Sequence, residues 1–193
     1  MLRRWLVWAL VFFGSANVVL WLRARSSAST PPVRLYAGAL GRQRPGHRHE
    51  LLFVVIASSR SRGSKAPGFE EHLAAARRLV ARQATVRGAV FASIGISVDP
   101  VLEEGLALLK RYGPFDEVDA GDNWENLGTA AFFWSGLHSE AAIPQVLVVS
   151  RDVNDDGRVI VLGTERLLVR KIGSDSLTAW ATAGAPIPAD SAS

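Results

Sequence analysis

The stretch LLFVVIASSRSRGSK, Leu51 to Lys65, decides how the rest of the chain is read. Leu51 to Ala57 is apolar without a break and rich in β-branched side chains, the pattern of a strand buried on both faces. Ser58 to Lys65 is small, polar and basic, so the chain turns and surfaces there. Pro67 then suits the first turn of a helix. Phe69, Leu73, Ala76 and Val80 follow at helical spacing and form one apolar stripe. Glu70 and Glu71 come early in that helix and Arg77, Arg78 and Arg82 late, in agreement with its dipole.

Downstream, strand and helix signals alternate. Ala89 to Val98 reads as a second strand. Asp99-Pro100 reads as an N-cap followed by a first-turn proline, and Leu102, Leu106 and Leu109 as the core stripe of the helix it opens. Tyr112-Gly113-Pro114 ends that helix. Trp124, Phe132, Phe133 and Trp134, with Leu127 and Leu137, predict a core helix in an insert. Ala142 to Ser150 is another apolar strand and Asp152 to Gly157 a turn. Val159 to Leu162 begins the return strand, which Leu167 to Lys171 prolongs or follows, and Leu177 to Thr182 forms a short last helix. Strands joined by helices imply a parallel pair with right-handed crossovers, to which the hairpin adds antiparallel strands.

Composition narrows the function classes. Of 193 residues, 48% are apolar and 21% charged, which describes a folded domain rather than a disordered chain. The net charge of +4 comes from scattered basic residues with no aromatic-interleaved stripe, so no nucleic-acid partner is expected. The chain contains no cysteine, which removes disulfides, thiolate metal sites and lipid attachment to cysteine.

Upstream of the domain, Arg3 and Arg4 precede an apolar run from Trp5 to Leu22, closed by Arg23 and Arg25. A helix over that run rises ~27 Å, close to the hydrocarbon thickness of a bilayer. Residues 1–25 therefore read as a single-pass membrane anchor; the competing reading is a signal peptide cut near Ala24 to Ser29. Residues 26–50 are rich in Ser, Pro, Gly and Arg and read as a linker, with His47 and His49 solvated rather than metal-bound. The domain is expected at 51–183 and a frayed tail at 184–193.

With cysteine in place of Ser61 and Ser64, the segment after the first strand would read C-x-x-C-K. This segment, Ile143-Pro144 just before the VLVV strand, the hairpin that follows and Gly128-Thr129-Ala130 upstream together resemble the thioredoxin-like superfamily, in particular its membrane-anchored thiol–disulfide oxidoreductase relatives. The resemblance spans about Leu51 to Ala183 and implies a three-layer α/β sandwich, a central mixed sheet with helices on both faces, behind the transmembrane helix. It implies that Pro144 is cis and faces the degenerate dithiol positions Ser61 and Ser64. The departures are the two serines, Arg60 where a tryptophan is usual, and Pro67 earlier than the usual kink proline.

A serine hydroxyl cannot form the mixed disulfide on which thiol–disulfide exchange depends, so no catalytic residue and no cofactor is expected. A hydrolytic Ser61 needs a base; His72 and His138 are the candidates, and no nucleophile-elbow pattern surrounds either serine. What the resemblance leaves is a peptide groove, with Ala142, Ile143 and Pro144 as one wall and Arg60, Ser61, Arg62, Gly63, Ser64 and Lys65 as the other. Its cationic wall suits an acidic partner, and Ser64 or a neighbour is expected to cap the helix, with the other serine hydrating a turn. Asp152 to Gly157 also matches half of a calcium loop, but Gly163 stands where the bidentate glutamate belongs, so no metal is expected. The expected role is a redox-inactive, membrane-tethered module outside the cytoplasm, in a bacterial envelope, binding a peptide or protein during assembly or maturation of another protein. The alternatives are a thiol–disulfide oxidoreductase by homology and a structural membrane subunit.

Overall fold

A continuous apolar strand sits at the centre of the molecule because both its faces are covered. The computed structural model describes residues 46–134, 141–156 and 160–188. The anchor expected at 1–25, the first part of the linker, Leu137 and His138 lie outside these, as do the side chains of Phe133 and Trp134. Among the described residues no helix is long and apolar enough to cross a membrane.

The strands are β1 (Gly46–Ala57), β2 (Val90–Ser97), β3 (Glu117–Asp119), β4 (Gln145–Asp155), β5 (Ile160–Leu162) and β6 (Arg166–Ile172). The helices are α1 (Phe69–Val86), α2 (Leu102–Tyr112) and α3 (Ser174–Thr182). The sheet order is β3-β2-β1-β4-β5, with β6 also on β4. β1 pairs parallel with β2, and β2 with β3. β4 runs antiparallel to β1, and β5 and β6 antiparallel to β4.

The crossovers explain the layers. Steps from β1 to β2 and on to β3 go the same way, so right-handed connections put α1 and α2 on one face. There Phe53 and Val55 of β1 meet Phe69, Leu73 and Val80 of α1, Tyr112 of α2 and Trp180 of α3. The path from β3 back to β4 covers the other face with a 3-10 turn, Asn123–Glu125, and a short helix that widens into a π turn, Ala130–Trp134. Phe132 and Trp124 pack there on Val54, Ile56, Ile94 and Leu147. Helices thus flank a mixed sheet on both sides, an arrangement compatible with a thioredoxin-like fold. Each large apolar side chain fully buried here contributes about 1.5–3 kcal/mol.

Six local expectations are revised. β1 begins at Gly46, inside the stretch read as linker: Glu50 is fully buried, and its carboxylate accepts from Arg151 Nε at 3.0 Å and Nη2 at 2.9 Å and from Arg48 Nε at 2.9 Å. Asp152 to Asp155 belong to β4 rather than to a turn, and Asp152 meets His49 at 3.1 Å across the ladder. The α2 stripe is rotated: Gly105, Leu108, Leu109 and Tyr112 face inward, while Leu102 and Leu106 are exposed. In the insert Leu127 is exposed rather than part of the core. Pro67 precedes α1, which starts at Phe69. The tail is docked as far as Pro188: Ala185 and Ile187 are buried, Gln83 Nε2 donates to Ala185 O at 2.8 Å, and Arg87 Nη2 to Ile187 O at 2.7 Å.

One carboxylate on β3 makes stability depend on pH. Burial pushes Glu117 up to about 7; Arg151 on β4 opposes the shift and Asp119 adds to it. A carboxyl raised in the folded state stabilises fully below its unfolded pKa and loses that contribution as pH climbs toward 7. Glu117→Gln should therefore gain stability over wild type between pH 5 and 8, by about 1 kcal/mol after solvent screening. Chemical denaturation at both pH values checks this; a constant difference would contradict it.

Candidate functional site

The site is built where β1 and β2 end and β4 begins. After Ala57 the chain turns, with Ser61 N–H donating to Ser58 O at 3.1 Å, and enters a 3-10 turn, Gly63–Lys65. The Ile143–Pro144 peptide is cis. Ser61 Oγ donates to Ile143 O at 3.3 Å. Gly63 lies flat on the proline: a Cβ there would come within 2.7 Å of Pro144 Cδ, so only glycine permits this approach. Ser61, Gly63, Ile143 and Pro144, far apart in sequence, are thus brought together.

The two serines differ. Ser61 is half-buried at the surface of the turn, whereas Ser64 is buried, its Oγ accepting from Ser58 N–H at 3.5 Å. Tyr112 Oη donates to Ser64 O at 2.6 Å, tying the turn to α2, and burial pushes that phenol up to about 12. Neither serine caps a helix, contrary to expectation. Arg62 caps the 3-10 turn and Gly68 caps α1, both without a side-chain bond. The break at Pro67-Gly68 moves α1 too far along the chain for a hydroxyl at 61 or 64 to reach its first N–H groups.

The cationic wall is weaker than its composition. Arg60 Nη2 pairs with Glu104 at 3.2 Å, leaving Arg62 and Lys65 as the exposed cations without an ion pair among the described residues. His72 serves α1 instead of Ser61, its Nδ1 lying 2.6 Å from Gly68 O. Among the described residues no group of three metal-ligating side chains forms.

Sequence reasoning missed Asp99. The expected N-cap of α2 turns away from that helix, whose N-cap is Val101. Asp99 is fully buried and accepts from Ser58 Oγ at 2.6 Å, Ser97 Oγ at 2.8 Å, Ser59 Oγ at 3.0 Å and Ser59 N–H at 2.9 Å. Ser58 Oγ in turn accepts from Arg60 N–H at 3.0 Å, so a relay of hydrogen bonds fixes the turn that carries Ser61. Burial pushes the Asp99 carboxyl up, but these donors outweigh it and hold it below the usual carboxylate range. The available signal was four serines (Ser58, Ser59, Ser61 and Ser64) crowded after an apolar strand, too many for one cap to explain.

A search of solved structures finds BsSco, a member of the Sco family of cytochrome c oxidase assembly proteins, at 14% identity and a TM-score of 0.31, covering 70% of this chain and 80% of that one. A likeness at that level assigns neither family nor activity. No family model matches the chain, and no curated protein matches it.

Proposed function

We propose that this chain is a redox-inactive, thioredoxin-like binding module, held at a membrane by residues 1–25 with its domain outside the cytoplasm. Its groove, between the Arg60 to Lys65 turn and Ile143-Pro144, takes an extended segment of a partner protein during that partner's assembly or maturation. The observation that carries this reading is the contact of Ser61 and Gly63 with Ile143 and Pro144 in a chain without cysteine. Oxygen at positions 61 and 64 removes electron transfer and keeps the surface. Main-chain bonds beside Ile143 supply affinity by strand addition, and Arg62 and Lys65 favour carboxylates.

The test uses the full chain in detergent with a fluorescent ten-residue peptide that alternates glutamate and valine. Binding in the tens of micromolar, about −6 kcal/mol, is expected. Gly63→Ala should weaken it about tenfold, or about 1.4 kcal/mol, because the turn must move off Pro144. Circular dichroism verifies that the variant folds. Equal binding by the folded variant would remove the groove from the function, and reduction of insulin by the wild type would end the non-catalytic reading.

A further inference from the structure

Among the described residues, the edge of the sheet opposite the hairpin has no partner strand and lies beside an apolar surface. β3 ends the sheet among the described residues, bonded to β2 on one side only, so one set of its main-chain groups points outward. Among the described residues, seven large apolar side chains are exposed, and five of them fall between Val101 and Leu127: Val101, Leu102, Leu106, Val118 and Leu127. Asp119 accepts from Gly128 N–H on the insert side of the sheet, so Val118, one residue earlier, points to the α2 side. α2 lies close over that end of the sheet because it crosses at Gly105, where a Cβ would meet Ser97 Oγ at 2.7 Å and Ala120 Cβ at 3.2 Å. Leu102 sits over Gly121. The rotation of α2 that exposes Leu102 and Leu106 thus places them on the side that Val118 faces.

Charge selects the occupant. From Pro114 to Glu125 the chain carries Asp116, Asp119, Asp122 and Glu125, besides the half-buried Glu117, and no basic residue; α2 exposes Glu103 and Glu104 in its first turn and Lys110 in its last, in a protein whose net charge is +4. A second copy pairing antiparallel through β3 would bring Asp119, Asp122 and Glu125 of one chain near the same acids of the other, which like-charge repulsion disfavours. A helix or a lipid surface cannot satisfy outward-pointing strand groups. We propose that this edge is a docking site for an extended, cationic segment of a partner protein, which adds a strand beside β3, sets apolar side chains against Val118, Leu102 and Leu106, and meets the flanking carboxylates with lysine or arginine. This site is separate from the Ile143-Pro144 groove and has the opposite charge preference.

The experiment titrates the full chain in detergent, with valine and leucine methyl groups labelled, with a ten-residue peptide alternating lysine and valine. The methyl resonances of Val118, Leu102 and Leu106 are expected to shift, with binding about tenfold weaker when salt is raised enough to screen surface charges. Val118→Lys, at an exposed position, should abolish the shifts at Leu102 and Leu106 without unfolding the protein, whereas Gly63→Ala should leave them unchanged. Shifts confined to the neighbourhood of Ile143, equal binding by the glutamate–valine peptide, or no binding would each overturn the proposal. So would concentration-dependent self-association that Val118→Lys abolishes while the basic peptide has no effect.

Discussion

Replacing Ser61 and Ser64 together with cysteine is expected to give this cysteine-free chain the ability to reduce insulin. The positions are already differentiated as the reaction demands. Ser61 is half-buried beside the Ile143 carbonyl, whereas Ser64 is buried under the turn with Ser58 N–H directed at its oxygen. A thiolate at position 61 would attack a substrate disulfide and form a mixed disulfide, releasing one substrate thiol. The thiol at position 64 would then give up its proton, displace the second substrate thiol and leave the protein oxidised; dithiothreitol in the assay restores the dithiol. Arg62 and Lys65, exposed on the same turn, lower the attacking thiol below its free value of about 8.5. Ser61→Cys alone should stop at the mixed disulfide, and Ser64→Cys alone should react slowly with Ellman's reagent. A double variant whose thiols stay reduced under oxidising conditions, although folded, would show that the serines do not occupy dithiol positions.

The sequence made this site legible for a reason that did not extend to its surroundings. Leu51 to Ala57 and the Phe69, Leu73, Ala76, Val80 stripe are set by local periodicity, and all are buried as their pattern implied. β3 carries no such pattern. Glu-Val-Asp is three residues long with two acids, and it is a strand because Ile94 to Ile96 of β2 offer it partners. The start of β1 was hidden in the same way: His-Arg-His-Glu reads as linker until Arg151, 101 residues along, neutralises Glu50. Leu102 and Leu106 fit a core stripe equally well on two rotations of α2, and the absence of a side chain at Gly105 chose between them by letting the helix approach Ser97 and Ala120. Ser61, Gly63 and Pro144 could be matched to a known arrangement, whereas Arg60 pairs with a glutamate that no motif records. Periodicity reports which face is apolar; it does not report which charge a distant segment will bring.

Asp99→Ala is expected to cost about 3–5 kcal/mol, more than a surface carboxylate would, because it strips a buried acceptor from several donors at once. The hydroxyls of Ser58, Ser59 and Ser97 can rotate toward other acceptors, but Ser59 N–H is fixed by the backbone and would be left unsatisfied. Asp99→Asn should fall between: its amide oxygen accepts from one side, while its NH2 faces donors. The pH dependence follows from the direction of the shift. A carboxyl held below its unfolded pKa stabilises fully above that pKa and loses the contribution as pH falls through the folded value. Wild type should therefore lose stability in acid more steeply than Asp99→Asn, and the gap between them should close as the carboxyl protonates. Denaturant titrations from neutral pH down to about 2 would show this, since the unperturbed carboxyl sits near 3.9. A pH-independent gap would mean that the carboxylate's charge is not what the serines hold. The same variant separates scaffold from groove. Where Asp99→Asn remains folded, the Ser58 to Ser61 turn has lost its anchor, so the glutamate–valine peptide should bind less tightly although no contacting residue has changed; unaltered affinity would place the rigidity of that turn in Tyr112 and its bond to Ser64 instead.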